Sequence, residues 1–113
     1  MMKKWILITG LLLSLALVRG HSPSGMEITY DAEEMVLTLV VDHQVGNPTN
    51  HYVRTVRIYE GNRELVIQEM NRQDDAGSVT LIYRLPDAET GMVLTVEADC
   101  NRVGTISQEF IIE

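Results

Sequence analysis

After residue 20 the chain holds no long run of helical period. Its apolar residues come in seven short β-favouring stretches separated by turn residues. That pattern excludes a helical bundle. Met92–Cys100 (MVLTVEADC) alternates most cleanly: Met92, Leu94, Val96, Ala98 and Cys100 share one face, and Val93, Thr95, Glu97 and Asp99 share the other. Met35–Val41 (MVLTLVV) puts Met35, Leu37, Leu39 and Val41 on one face. Its other face is also largely apolar, which predicts a central strand. Met26–Tyr30, Glu64–Glu69, Gly77–Leu85 and Thr105–Ile112 are further predicted strands. His51–Glu60 (HYVRTVRIYE) is equally β-rich, but Arg54 and Arg57 fall on opposite faces by strict alternation, so no clean inner side emerges. Gly61-Asn62 after it predicts a hairpin. Pro86–Gly91 is a turn-rich loop, and Asn71–Gly77 (NRQDDAG) is expected to be a solvated one. Strands every 8–12 residues with turns between them predict an all-β, immunoglobulin-like antiparallel β-sandwich of about seven strands.

The first twenty residues follow a different logic. Lys3 and Lys4 precede an almost wholly apolar run, Trp5 to Val18, and this order is that of a secretory signal peptide. Cleavage after Ala16 or after Gly20 fits the small-residue rule, and the second site leaves His21 as the new amino terminus. The run is short for a membrane span of about 20 residues. The expected organisation is a signal at 1–20 and one domain at 21–113, exported to the periplasm or the exterior, with no stable membrane span once the signal is gone. Loss of Lys3, Lys4 and Arg19 leaves 6 basic against 16 acidic groups, a net charge of −10. Nucleic acid and anionic membranes are therefore excluded as partners, since both require a positive footprint. A homo-oligomer is compatible with the sequence.

Chemistry is confined to few residues. One cysteine rules out an internal disulfide framework and a Cys-only zinc site. The three histidines lie at strand edges or in loops: His21 before the first predicted strand, His43 after the second, and His51 at the start of the third. Cys100 ends the sixth. In a sandwich the second-to-third and sixth-to-seventh connections gather at one end, so His43, His51 and Cys100 can converge there, with His21 reaching them from the preceding segment. Imidazoles and a thiolate suit iron, copper or zinc. A solvated role for each histidine, and burial of Cys100 as a small hydrophobe, are the competing readings.

Val41–Gly61 (VDHQVGNPTNHYVRTVRIYEG) resembles the core motif of the desulfoferrodoxin and superoxide reductase family, which has a His-Pro turn and then a His-Tyr pair opening a strand. Cys100-Asn101-Arg102-Val103-Gly104 resembles that family's Cys-Asn-x-His-Gly loop, and His21-Ser22-Pro23 its early His-Val-Pro. The resemblance implies a mononuclear non-haem iron with equatorial histidines and an axial cysteine. It carries His21, His43, His51 and Cys100 over as ligands. It also implies reduction of superoxide to peroxide, or electron transfer with a redox partner protein, as a superoxide reductase-type oxidoreductase. The sequence departs from the family pattern in several features: Val103 stands at the fourth histidine position, Gln44 rather than Pro follows His43, the segment to His51 is two residues longer, and the family's lysine beside the first histidine has no counterpart.

Two other classes fit parts of the sequence. The chain resembles, in size, export signal and the strand HYVRTVRIYEG, the sandwich subunit of the sulfur-carrier complex of thiosulfate oxidation, which implies a metal-free interaction subunit. An amino-terminal His21 with a second imidazole would alternatively form a copper-binding brace, as in a periplasmic copper carrier.

Overall fold

The alternating stretches form seven strands in the computed structural model, which describes residues 22–113. They are β1 (Gly25–Asp31), β2 (Val36–Asp42), β3 (Val53–Glu60), β4 (Arg63–Glu69), β5 (Ser78–Arg84), β6 (Val93–Cys100) and β7 (Thr105–Ile111). All pairings are antiparallel, in a three-stranded sheet ordered β1-β2-β5 and a four-stranded sheet ordered β4-β3-β6-β7. The predicted sandwich is the observed one. No helix among the described residues is long and apolar enough to cross a membrane. The predicted signal segment and His21 lie outside the described residues.

Burial follows alternation. Leu37, Leu39 and Val41 of β2 and Leu94, Val96 and Ala98 of β6 are fully buried, and Val56 and Ile58 of β3 join them. Truncating one of these leucines to alanine costs about 2–5 kcal/mol, because the packed neighbours relax only partly into the cavity. Two departures from the sequence expectation have local causes. Met35 is not the first residue of a strand: it takes φ 60° and closes a turn in which Asp31 Oδ1 accepts the N–H groups of Glu33 and Glu34 (3.0 and 3.2 Å). In β3 the conflict between Arg54 and Arg57 is removed by a bulge. Val53 pairs with Cys100 while Thr55 pairs with Asp99, so two steps on β3 match one on β6 and the parity flips. Val53, Val56 and Ile58 then face the core, and both arginines lie on the outer side.

A hydrogen bond from Tyr83 on β5 to Gln68 Oε1 on β4 (2.6 Å) ties the two sheets together at their edges. Burial pushes the Tyr83 hydroxyl up to about 12, above its ordinary 10.0. The folded chain thus holds this proton more tightly than the unfolded chain does. The resulting stability is present below about pH 10 and is lost as pH rises from about 10 to about 12. Tyr83→Phe should cost about 1 kcal/mol near neutral pH and should weaken the alkaline loss. Urea unfolding of both proteins near neutrality and at about pH 11 measures the two effects; an equal loss in both would show that Tyr83 is not its source.

Candidate metal centre

The three described donors extend the inward-facing stripes of the strands beyond their ends. His43 keeps the parity of Leu37, Leu39 and Val41; His51 keeps that of Val53; Cys100 keeps that of Leu94, Val96 and Ala98. The core stripes of both sheets therefore terminate in polar donors between the sheets. His43, His51 and Cys100 are only 1%, 7% and 5% exposed.

Each connection is fixed by its own sequence. Past β2, the β2–β5 ladder runs on through His43 N–H to Gly77 O and Val45 N–H to Ala76 O, both 2.9 Å, which holds His43 in place. The Asn47-Pro48-Thr49-Asn50 turn is built on Asn47. Its Oδ1 accepts from Thr49 N–H and Oγ1 (3.0 and 2.7 Å), and its carbonyl accepts from the N–H groups of Asn50 and His51 (3.2 and 3.0 Å). Asn101 then ties the cysteine loop to the His51 segment. Its N–H donates to Tyr52 O (2.9 Å), its Oδ1 accepts from Tyr52 N–H (3.0 Å), and its Nδ2 donates to Asn50 O (3.1 Å). Gly104, at φ 108°, closes the loop by accepting from Cys100 N–H at 2.9 Å.

These connections bring one ligand atom each from His43, His51 and Cys100 within 4.8 Å of one another. The two imidazoles meet edge to face, with centroids 4.9 Å apart and planes at 87°. Two donors on one ion stand no more than about 4.4 Å apart for metal–nitrogen and metal–sulfur bonds of about 2.1 and 2.3 Å. At most one pair among three donors can be opposed in this way, and donors at 90–120° stand about 3–4 Å apart, so side-chain movements of up to about 1–2 Å close the set on a cation. The donor chemistry also fits: two imidazoles and a thiolate suit a borderline transition ion, and apolar walls exclude competing water. Arg102 N–H donates to Cys100 Sγ at 3.4 Å and so orients the sulfur. The neighbouring carboxylate, Asp99, binds Arg57 at 2.9 Å and accepts from Thr105 Oγ1 at 2.8 Å. Arg57 is thereby an ion-pair partner on the sheet surface, and its pKa is raised by the hydrogen bond to Asp99.

Of the four residues singled out in the sequence, three converge; His21 lies outside the described residues. Val103, at the fourth histidine position of the resemblance, is 57% exposed and has no donor to offer. The expectation that Asn71–Gly77 is only a solvated loop fails at one residue. Gln73 is 1% exposed and packs behind His43, with Oε1 2.6 Å from His43 Nδ1. A glutamine among Asn, Arg and Asp gives no periodic signal; only the topology brings this loop to the site.

The fold has a counterpart among solved structures. The superoxide reductase (1Fe-SOR) from Giardia intestinalis superposes with a TM-score of 0.56 at 20% identity, over 81% of this chain and 97% of that one. The fold is that of superoxide reductase. Two superoxide reductase (neelaredoxin) structures from Ignicoccus hospitalis, each 16% identical, give TM-scores of 0.46 and 0.45, over 81% and 80% of this chain and 82% of each of theirs. Neither the protein-family models nor the curated proteins give a match. In this superoxide reductase-like domain the donors sit at the end of the sandwich where the β2–β3, β4–β5 and β6–β7 connections meet.

Asn101→Ala leaves the Tyr52 N–H without its acceptor and cuts the tie between the histidine and cysteine segments. It should lower stability by about 1–3 kcal/mol. Gly104→Ala is blocked for a different reason: a Cβ there would stand 2.7 Å from the Ser22 Cα, on a backbone of positive φ. It should cost about 1–3 kcal/mol. Denaturant titration of the two variants checks both values, and unchanged midpoints would refute the clamp.

Proposed function

We propose that this protein is an exported redox protein that holds one non-haem iron through His43, His51 and Cys100, with His21 as a further ligand. In this reading it reduces superoxide or passes electrons to a partner protein. The observation that carries the proposal is the convergence of two imidazoles and one thiol, from separate connections, into a single buried cluster. The likeness to a superoxide reductase whose name includes one iron supports iron as the metal and superoxide as the substrate. Ser22, the residue that follows His21 in sequence, packs against Gly104, whose carbonyl accepts from Cys100 N–H.

Superoxide needs one electron and two protons to become hydrogen peroxide, and bound iron would supply the electron. The chain's own residues prepare the donors. The Arg102 N–H orients the Cys100 sulfur, and burial keeps water from it. Arg102 on the cysteine loop and Arg72 on the β4–β5 connection are exposed cations near the site end, within a chain of net charge −7. They offset locally a field that would otherwise repel a small anion.

The purified mature protein should carry about one iron per chain, and its ferric form should show a thiolate-to-iron charge-transfer band that Cys100→Ser abolishes. Superoxide should be consumed with peroxide formed and no dioxygen released. No retained metal and no band after iron loading would instead support a metal-free interaction subunit. Retention of copper with rejection of iron would support the copper carrier. Amino-terminal sequencing of the exported protein tests the leader, with a start at His21 or Leu17 expected and an intact Met1 contradicting it.

A further inference from the structure

Gln73 belongs to none of the strands and to no motif of the resemblance, yet it is buried and its side chain makes four hydrogen bonds. Its Nε2 lies 3.0 Å from His43 O and 3.1 Å from Asp75 O. Both of those atoms are carbonyl oxygens and only accept, so the amide NH2 must point at them. The orientation of the amide is therefore decided by the backbone. Its Oε1 consequently faces the other way, where it accepts from Val53 N–H at 3.1 Å and stands 2.6 Å from His43 Nδ1. An amide oxygen has no hydrogen to give. The hydrogen in that last bond must belong to the imidazole.

We infer that Gln73 is a positioning residue that holds His43 in its Nδ1–H tautomer, so that Nε2 carries the lone pair presented to the cluster. Two backbone carbonyls set the amide, the amide sets the ring, and the ring sets the ligating nitrogen. The polar partner behind a metal-binding imidazole also raises the basicity of the ligand. Glutamine is suited to the position in a way that glutamate is not. A carboxylate would turn an oxygen toward His43 O and Asp75 O, both acceptors, and would bury a negative charge with no donor there to satisfy it. The bond to Val53 N–H anchors the same amide to the first residue of β3, so the β4–β5 loop becomes a structural wall of the site.

The role at a metal depends on the function proposed above; the tautomer does not, and it is measured without metal. Nitrogen-15 NMR of the metal-free protein with His43 neutral should give the Nδ1–H pattern. Gln73→Met, close in size and lacking both the donor and the acceptor, should shift His43 to a mixture or to Nε2–H. It should also weaken Co2+ binding by about 10–100-fold, while Gln73→Glu should keep Nδ1–H and unfold more easily. An Nε2–H signal in the unmutated protein overturns the inference, and this readout stands even if the variants fail to fold. An unchanged Co2+ affinity in folded Gln73→Met overturns the positioning role. Nδ1–H in a protein that binds no Co2+ upholds the tautomer and overturns the metal reading.

Discussion

Strand β3 meets β6 with Val53 opposite Cys100, and one extra residue at Arg54 lets the rest of β3 turn its apolar side inward. The site depends on this pairing. Without the bulge, strict alternation would oppose the two halves of β3, burying an arginine or exposing Val56 and Ile58. With it, the strand joins the core from Val53 to Ile58, and its entry, at His51, arrives beside the end of β6. Asn101 then fastens the two segments through their backbones. The cluster results from sheet register more than from any local motif.

The electrostatics follow the same economy. An acidic chain places two imidazoles and a thiol at the end of its core stripes. The carboxylate next to Cys100 in sequence is turned to the outer face, where Arg57 and Thr105 satisfy it. A cation entering the cluster therefore meets the thiolate as the anionic ligand among the described donors. That arrangement favours a borderline metal over calcium or magnesium, which prefer sets of oxygen ligands.

Most of the fold can be read from the sequence, because turn residues separate strands whose alternation is strong. Six of the seven strands start within one residue of their expected positions; the third begins at Val53 because His51 and Tyr52 belong to the preceding turn. Three candidate donors were legible as rare residue types at strand ends, and the alternation of the sixth strand put Cys100 on the core face; the burial of His43 and His51 was not legible, because the turn between them carries no period. Nor was the β3 bulge, since an inserted residue looks like a broken pattern until the partner strand is known. Gln73 was hidden for a related reason: its burial comes from the return of the β4–β5 loop across the open end of the sandwich, which no local signal encodes. Met35 shows the limit of alternation at a strand's edge, where the turn geometry of Asp31 overrides an apolar side chain.

The central claim is that His43, His51 and Cys100 grip one ion. X-ray absorption at the iron edge of the loaded protein tests it most directly. One sulfur neighbour at about 2.3–2.4 Å is expected together with at least two imidazole nitrogens at about 2.1 Å, distances typical of thiolate and imidazole ligands to first-row ions. A shell of oxygen and nitrogen alone, with no sulfur, would contradict it.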